Sequence, residues 1–206
     1  LGSIDDKKAG NWGYAGAFSL HPLKNLNVWS DGGVIVTDDA KLNNKLRLLR
    51  NHGLEDRDTV SILGYNSRLD TFQAVVGNWL LPKAEEIAAQ RIKNANYLDA
   101  GLRKVKQISI PPRIENYKLV YHLYIVFAED RDGLIEYCIE NGISAKIHYP
   151  VPIYRQKALR SLGHKKGDFP VTDTHAGKII TFPCDQHLDQ KELDYIIEVV
   201  TKYYEK

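Results

Sequence analysis

From Arg68 to about Lys104 the chain keeps one helical rhythm, with Leu69, Phe72, Val76, Leu80, Ile87, Ile92, Ala95 and Leu98 spaced to share a buried face. Pro82 is placed to split or kink it, because proline lacks the amide proton that the preceding turn needs. A helical segment of this length connects rather than fills, so the residues on its two sides are read as two domains, 1–104 and 105–206.

Before the helix the pattern is α/β. Trp12 to Ser19 alternates aromatic and small residues and stops before Pro22, as a short strand would. Gly32-Gly33 then turns into Val34-Ile35-Val36-Thr37, a continuous apolar run expected to be a buried strand. Asp38-Asp39 supplies an N-cap for a helix reaching about Arg50, with Leu42, Leu46 and Leu49 at core spacing and Gly53 available for a left-handed end. Residues 54–67 read as a polar loop. After the helix, Pro111-Pro112 interrupts the chain and the pattern changes. A strand is expected over Tyr121–Phe127, a helix over Asp132–Asn141, a strand over Ile143–His148 and a closing amphipathic helix over Asp189–Tyr204. That is a small α+β unit.

Composition removes several classes of function. The 28 basic and 26 acidic residues nearly cancel, so no overall field selects nucleic acid or an anionic membrane. The apolar runs are far too short to span a bilayer, and a soluble, cytoplasmic protein is expected. Cys138 and Cys184 are too few for a zinc set or a disulfide scaffold and read as buried packing thiols. No pair of histidines has metal-ligand spacing, and His21 and His122 read as structural. The chain contains no methionine and opens on Leu1-Gly2-Ser3 without an element start, so it reads as a fragment with part of any active site preceding Leu1.

Chemistry concentrates at Lys24, just beyond the first strand end in Phe18-Ser19-Leu20-His21-Pro22-Leu23-Lys24-Asn25-Leu26. A lysine held at the mouth of an α/β sheet can lose solvation and attack an aldehyde, the behaviour of a Schiff-base lysine. Ser19 can offer its hydroxyl to a phosphate, and Gly32-Gly33 lets backbone approach closely.

These residues, with Asp31-Gly32-Gly33, resemble the signature of the DegT/DnrJ/EryC1/StrS aminotransferases, pyridoxal-phosphate enzymes that mostly act on nucleotide-linked keto sugars. Gly64-Tyr65-Asn66-Ser67-Arg68-Leu69 with Gln73-Ala74 is similar to the family's second signature. Gly142-Ile143 leading to His148-Tyr149-Pro150-Val151-Pro152 is similar to the third, and Phe169-Pro170 and Phe182-Pro183 fit two later landmarks. The resemblance implies the C-terminal part of an aspartate-aminotransferase-like (fold type I) transferase: the end of the large α/β domain plus the small α+β domain. It implies pyridoxal 5'-phosphate held as an internal aldimine on Lys24, a phosphate contact from Ser19, and Asn66 reaching the cofactor of the neighbouring subunit in a homodimer with shared sites. Arg68, His148 and Tyr149 are implied substrate contacts. Asn66 also reads as a left-handed turn residue, Arg68 as a charge at a helix start and His148 as a structural histidine.

The implied reaction moves an amino group from an amino acid, glutamate in most of the family, to the ketone of a nucleotide-linked deoxysugar. Rivals are a sugar dehydratase of the same fold, which carries histidine in place of the lysine, and a non-catalytic sensor that binds cofactor or sugar nucleotide. Relatives forming cyclitols or aminobenzoates share the lysine. Asn27, Val28, Trp29 and Ser30 depart from the small residues many relatives carry between the lysine and the Gly-Gly turn, so loop shape is expected to differ.

Overall fold

Ser3–Ile4 (β1) and Lys7–Lys8 (β2) pair antiparallel across Asp5 and Asp6, whose φ angles of 47° and 62° are those of a tight hairpin turn. They open a computed structural model that describes residues 1–205. Gly16–Ser19 (β3) pairs antiparallel with Gly33–Val36 (β4), running from Gly16 opposite Val36 to Ser19 opposite Gly33. Strand β3 is thus shorter than the expected Trp12–Ser19. The strand expected at Val34 forms, but it is not buried: Val34, Ile35 and Val36 are 42%, 53% and 39% exposed. Its one ladder partner is β3, and among the described residues no layer covers either face.

Helix α1, Ala40–Arg50, starts where the sequence places it, with the Asp39 carboxylate accepting from Leu42 N at 2.8 Å. Leu42, Leu46 and Leu49 are only half-buried, and no residue of α1 is fully buried. The long helical stretch divides at Pro82, as expected: α2 (Thr71–Leu80), a 3-10 turn (Leu81–Lys83) and α3 (Ala84–Leu102). A capping box opens α2, in which Asp70 accepts from Phe72 N at 2.8 Å and Gln73 Oε1 accepts from Asp70 N at 3.3 Å.

After α3 come Ile108–Ser109 (β5), Tyr117–Lys118 (β6), Tyr124–Ala128 (β7) and Arg131–Glu140 (α4), then Pro170–Ala176 (α5), Ile179–Phe182 (β8) and Gln190–Tyr204 (α6). Two compact units result. The first joins residues 1–88 to 114–120, because β6 adds to β1 and makes the three-stranded order β2-β1-β6. The second comprises 89–113 and the chain from 121. This division differs from the expected boundary at 104. The later turns of α3 bury Ala95, Leu98 and Leu102 in the second unit's core, while β6 is claimed by its ladder with β1.

In the second unit β5, β7 and β8 form an antiparallel sheet with β7 in the middle. Tyr124, Val126 and Ala128 alternate inward along β7 and meet Leu98 and Leu102 of α3, Leu134 and Cys138 of α4, and Leu193, Ile196 and Val200 of α6. Full burial of one such side chain stabilises by roughly 1.5–3 kcal/mol. Asp99 lies in this core and is satisfied there: Tyr124 Oη donates to it at 2.7 Å and Arg113 contributes Nε at 2.9 Å and Nη2 at 3.1 Å. Burial and the Asp99 bond hold the Tyr124 phenol far above its ordinary pKa. Cys138 and Cys184 are buried and unpaired, as expected, and burial pushes their thiols up to about 11 and about 12.

One expectation fails here and one strand goes unforeseen. Ile143–His148 is not a strand and shares with the sheet one isolated backbone bridge, Lys146 to Thr181, and a side-chain contact from His148. The strand that pairs with β7 on this side is β8, whose short Ile-Ile-Thr-Phe run sits between a glycine turn and a proline and shows no alternation to betray it.

Candidate active site

Leaving β3, the chain makes one excursion and returns to the same place. Leu20 N donates to Gly32 O at 2.8 Å and Val28 N to Leu20 O at 3.1 Å, so the loop is closed at its base over the buried Leu20 and Val28. Within it, Lys24 N donates to His21 O at 2.8 Å, and Asn27 Nδ2 donates to Lys24 O at 3.3 Å. Asn25, itself buried, donates Nδ2 to Val120 O at 2.6 Å. The backbone of Lys24 is therefore fixed on both sides before its side chain does anything, and its residue is half-buried beside the exposed Leu23. His21 is structural, as expected: its Nδ1 accepts from Leu23 N at 3.2 Å.

Ser19 is exposed at the end of β3, and its Oγ accepts from His21 N at 3.3 Å. That bond uses an oxygen lone pair, and the hydroxyl proton remains to be given to an anionic oxygen. An amine on a braced turn and a hydroxyl donor five residues earlier make a set suited to an aldehyde bearing a phosphate.

The second motif is tied to the first. Gln73 Nε2 donates to Asp31 O at 2.9 Å, so the capping residue of α2 also holds the Gly-Gly turn. A Cβ on Gly32 would come within 2.8 Å of both Leu69 Cδ1 and Val28 Cγ2, so the turn packs closely against both side chains. Within the loop, the φ of Trp29, 69°, lies in the left-handed region, where a bulky side chain costs about 1–3 kcal/mol.

Residues 51–67 form a tight excursion rather than an open loop. His52 N donates to Tyr65 O at 2.8 Å and Ser67 N to Arg50 O at 2.9 Å, and Asn51 bridges Asn66. Gly53 takes φ 75° as expected for the helix end, and a Cβ there would lie 1.7 Å from Ile62 O. Asn66 has no positive φ, so the left-handed-turn reading of it falls; it is exposed in bridge conformation. Arg68 precedes the cap of α2 and turns away from it, donating Nη1 to Asn51 Oδ1 at 3.0 Å. It lines a cavity of about 770 Å³ against α1, and neither Ser19 nor Lys24 is on that wall.

His148 and Tyr149 belong to the second unit and are described there alone. The Nδ1 of His148 meets Thr181 Oγ1 at 3.0 Å, and the Tyr149 ring stands edge-on to the imidazole at 5.3 Å between centroids. Burial, helped by the Lys146 charge, lowers the His148 pKa. Tyr149 is 73% exposed. Both line a cavity of about 550 Å³ with Val151, Ile153 and His175. Sequence reasoning misses Thr181 and His175; the one signal is a hydroxyl residue inside an apolar strand. Among the described residues no cluster of histidine, cysteine and carboxylate side chains could hold a metal ion, and no helix is long and apolar enough to cross a membrane.

A lysine loop closed by a Gly-Gly turn and tied to a capped helix, in a chain with a separate α+β unit, is the architecture of a sugar-aminotransferase fold. The chain belongs to the DegT/DnrJ/EryC1/StrS aminotransferase family, whose model matches residues 2–201. It is 34% identical over 183 residues to the erythromycin biosynthesis sensory transduction protein EryC1 of Saccharopolyspora erythraea, covering 89% of this chain and 50% of that protein. It is 32% identical over 190 residues to the dTDP-3-amino-3,4,6-trideoxy-alpha-D-glucose transaminase of Streptomyces venezuelae, covering 92% of this chain and 50% of that one. Among solved structures, the S. venezuelae DesV complex with a ketimine intermediate superposes with a TM-score of 0.95 at 30% identity, over 100% of this chain and 55% of DesV. The chain spans about half the length of the curated relatives it matches.

Proposed function

We propose that this chain is part of a pyridoxal-phosphate-dependent aminotransferase that moves an amino group from an amino acid, glutamate being the expected donor, to the ketone of a nucleotide-linked deoxysugar. The observation that carries the reading is the Ser19–Lys24 loop, whose backbone is braced at His21, Asn27, Gly32 and Val120 around one half-buried lysine. Names among the relatives support the substrate class, several being nucleotide-sugar transaminases.

Pyridoxal phosphate, when bound, supplies an aldehyde for the amine and a ring that takes up electron density as a carbon–hydrogen bond breaks. Lys24 Nζ would hold the cofactor between turnovers. Its free amine would take a proton from the donor carbon and later give it up, acting first as base and then as acid. Ser19 Oγ donates to the phosphate. Asn66 acts toward the cofactor of a second copy, which makes the working unit a homodimer. Arg68 pairs with an anionic group of the substrate, and His148 and Tyr149 position it.

The test is the first half-reaction. Cofactor-loaded, full-length enzyme given glutamate alone should release 2-oxoglutarate and lose the absorbance of the aldehyde form. A protein that binds the cofactor but aminates it with no amino acid is a sensor or a dehydratase, and the proposal fails. Mixing Lys24→Ala and Asn66→Ala variants, each inactive alone, should restore part of the activity, since a mixed dimer contains one intact site.

A further inference from the structure

Thr181 is joined to the segment that ends at His148 twice, once by its backbone and once by its side chain. Lys146 N donates to Thr181 O at 3.0 Å and Thr181 N donates to Lys146 O at 2.8 Å, a pair of bonds that by itself pins the segment to β8. Two residues on, the His148 ring turns back and places its Nδ1 3.0 Å from Thr181 Oγ1. The side-chain bond is therefore not needed for attachment. What it adds is control of the imidazole, whose rotation and proton position the backbone leaves open.

The direction of that bond follows from counting donors and acceptors. Thr181 is 6% exposed between Ile180 and Phe182, and a hydroxyl proton left without an acceptor at such a site is costly. Among the described residues Oγ1 has one partner, His148 Nδ1. If the ring donated through Nδ1–H, the threonine proton would have nowhere to go; if the hydroxyl donates, both groups are satisfied. Burial and the Lys146 charge lower the His148 pKa, which keeps the ring neutral near pH 7 and leaves Nδ1 a lone pair to accept with. A neutral ring that accepts at Nδ1 carries its proton on Nε2.

His148 lines the cavity of about 550 Å³, and Thr181 does not. The two nitrogens of an imidazole face different ways, so a ring whose Nδ1 is turned to Thr181 has Nε2 left for the cavity. Much of the wall around it is apolar, with Val151, Pro152, Ile153 and Ile179, and a single N–H against such a wall is a directional contact. We infer that Thr181 is a positioning residue: its hydroxyl donates to His148 Nδ1 and so holds the ring in the Nε2–H form, with that N–H offered to an acceptor oxygen of the sugar-nucleotide substrate. The identity of the ligand rests on the proposed function; the orientation of the ring does not. His148 acts here as a hydrogen-bond donor and not as a base, because a ring held this way has no lone pair facing the cavity.

Long-range proton–nitrogen spectra of the 206-residue chain, labelled with 15N-histidine, report which ring nitrogen carries the proton, and His148→Asn identifies the His148 signals by removing them. The Nε2–H form is expected in the parent, a mixture of the two forms in Thr181→Val, and the Nε2–H form again in Thr181→Ser. Valine keeps the branching of threonine, so the melting temperature by circular dichroism should change little. In full-length, cofactor-loaded enzyme, Thr181→Val should raise the KM for the nucleotide-linked ketone about tenfold with kcat nearly unchanged, and Thr181→Ser should restore it. A proton on Nδ1 in the parent, a tautomer that Thr181→Val does not alter, or an unaltered KM would each overturn the inference. If Thr181→Val does not fold, the parent spectrum decides: a proton on Nε2 supports the inference and a proton on Nδ1 overturns it. The 2-oxoglutarate assay keeps the two ideas apart. If it fails while the His148 tautomer follows Thr181, the function is wrong and the positioning stands; if 2-oxoglutarate is released while the tautomer ignores Thr181, the positioning alone falls.

Discussion

The two units solve the problem of burial differently. The second closes its own core, with Leu98, Tyr124, Val126, Leu134, Ile180 and Val200 all at 0% exposure. In the first, no residue of α1 or β4 is fully buried, and Phe72, Val75 and Trp79 of α2 are 69%, 61% and 62% exposed. Yet it is the first unit that holds Ser19, Lys24, Asn66 and Arg68, and there hydrogen bonds, with Leu20 and Val28 buried beneath the loop, fix the backbone. Order in a site loop and depth of core are separable properties: the Lys24 turn is braced by bonds to His21, Asn27 and Val120.

That contrast can be broken by substitution. Phe182→Ala, which empties a 2%-exposed site in the second core, should cost about 4 kcal/mol, read from the urea midpoint by circular dichroism. Asp99→Ala should cost about 3 kcal/mol, because it strands the Arg113 guanidinium, whose side chain is 21% exposed, and removes the acceptor of Tyr124.

A smaller effect is expected at His148. Its pKa is lowered in the folded protein, so the unfolded chain takes up the proton first as pH falls. The stability this group supplies is whole above about pH 6.5 and is lost as pH drops through the lowered folded value. His148→Asn should flatten that part of the pH profile relative to the parent, and an unchanged profile would contradict the burial assigned to the ring. The smallest effect belongs to the first unit. Ile35→Ala, at a position 53% exposed, should move the midpoint by no more than about 0.5 kcal/mol, and a loss as large as that of Phe182→Ala would erase the contrast.

Local chemistry is the part of the fold most legible in the sequence. Asp39 caps α1, Gly53 ends it, Pro82 divides the long helix and Asp189 caps α6, because each acts through neighbours a few residues away. The Ser19–Lys24 loop and the turn at Gly32 are visible for the same reason. Burial is not: the apolar run at Val34 looks the same whether or not anything covers it, and the leucines of α1 indicate a face without naming its partner. The strand expected at Ile143–His148 is reduced to one bridge, Lys146 to Thr181 of β8, and β8 itself pairs with β7 across a long separation in sequence.

The central claim is that Lys24 is the amine on which the cofactor rides, and covalent trapping tests it most directly. Full-length enzyme loaded with pyridoxal phosphate, reduced with borohydride, digested and analysed by mass spectrometry should carry the reduced pyridoxyl adduct on the peptide containing Lys24, and Lys24→Ala should carry none. An adduct on another lysine, or one that survives Lys24→Ala, would contradict the account.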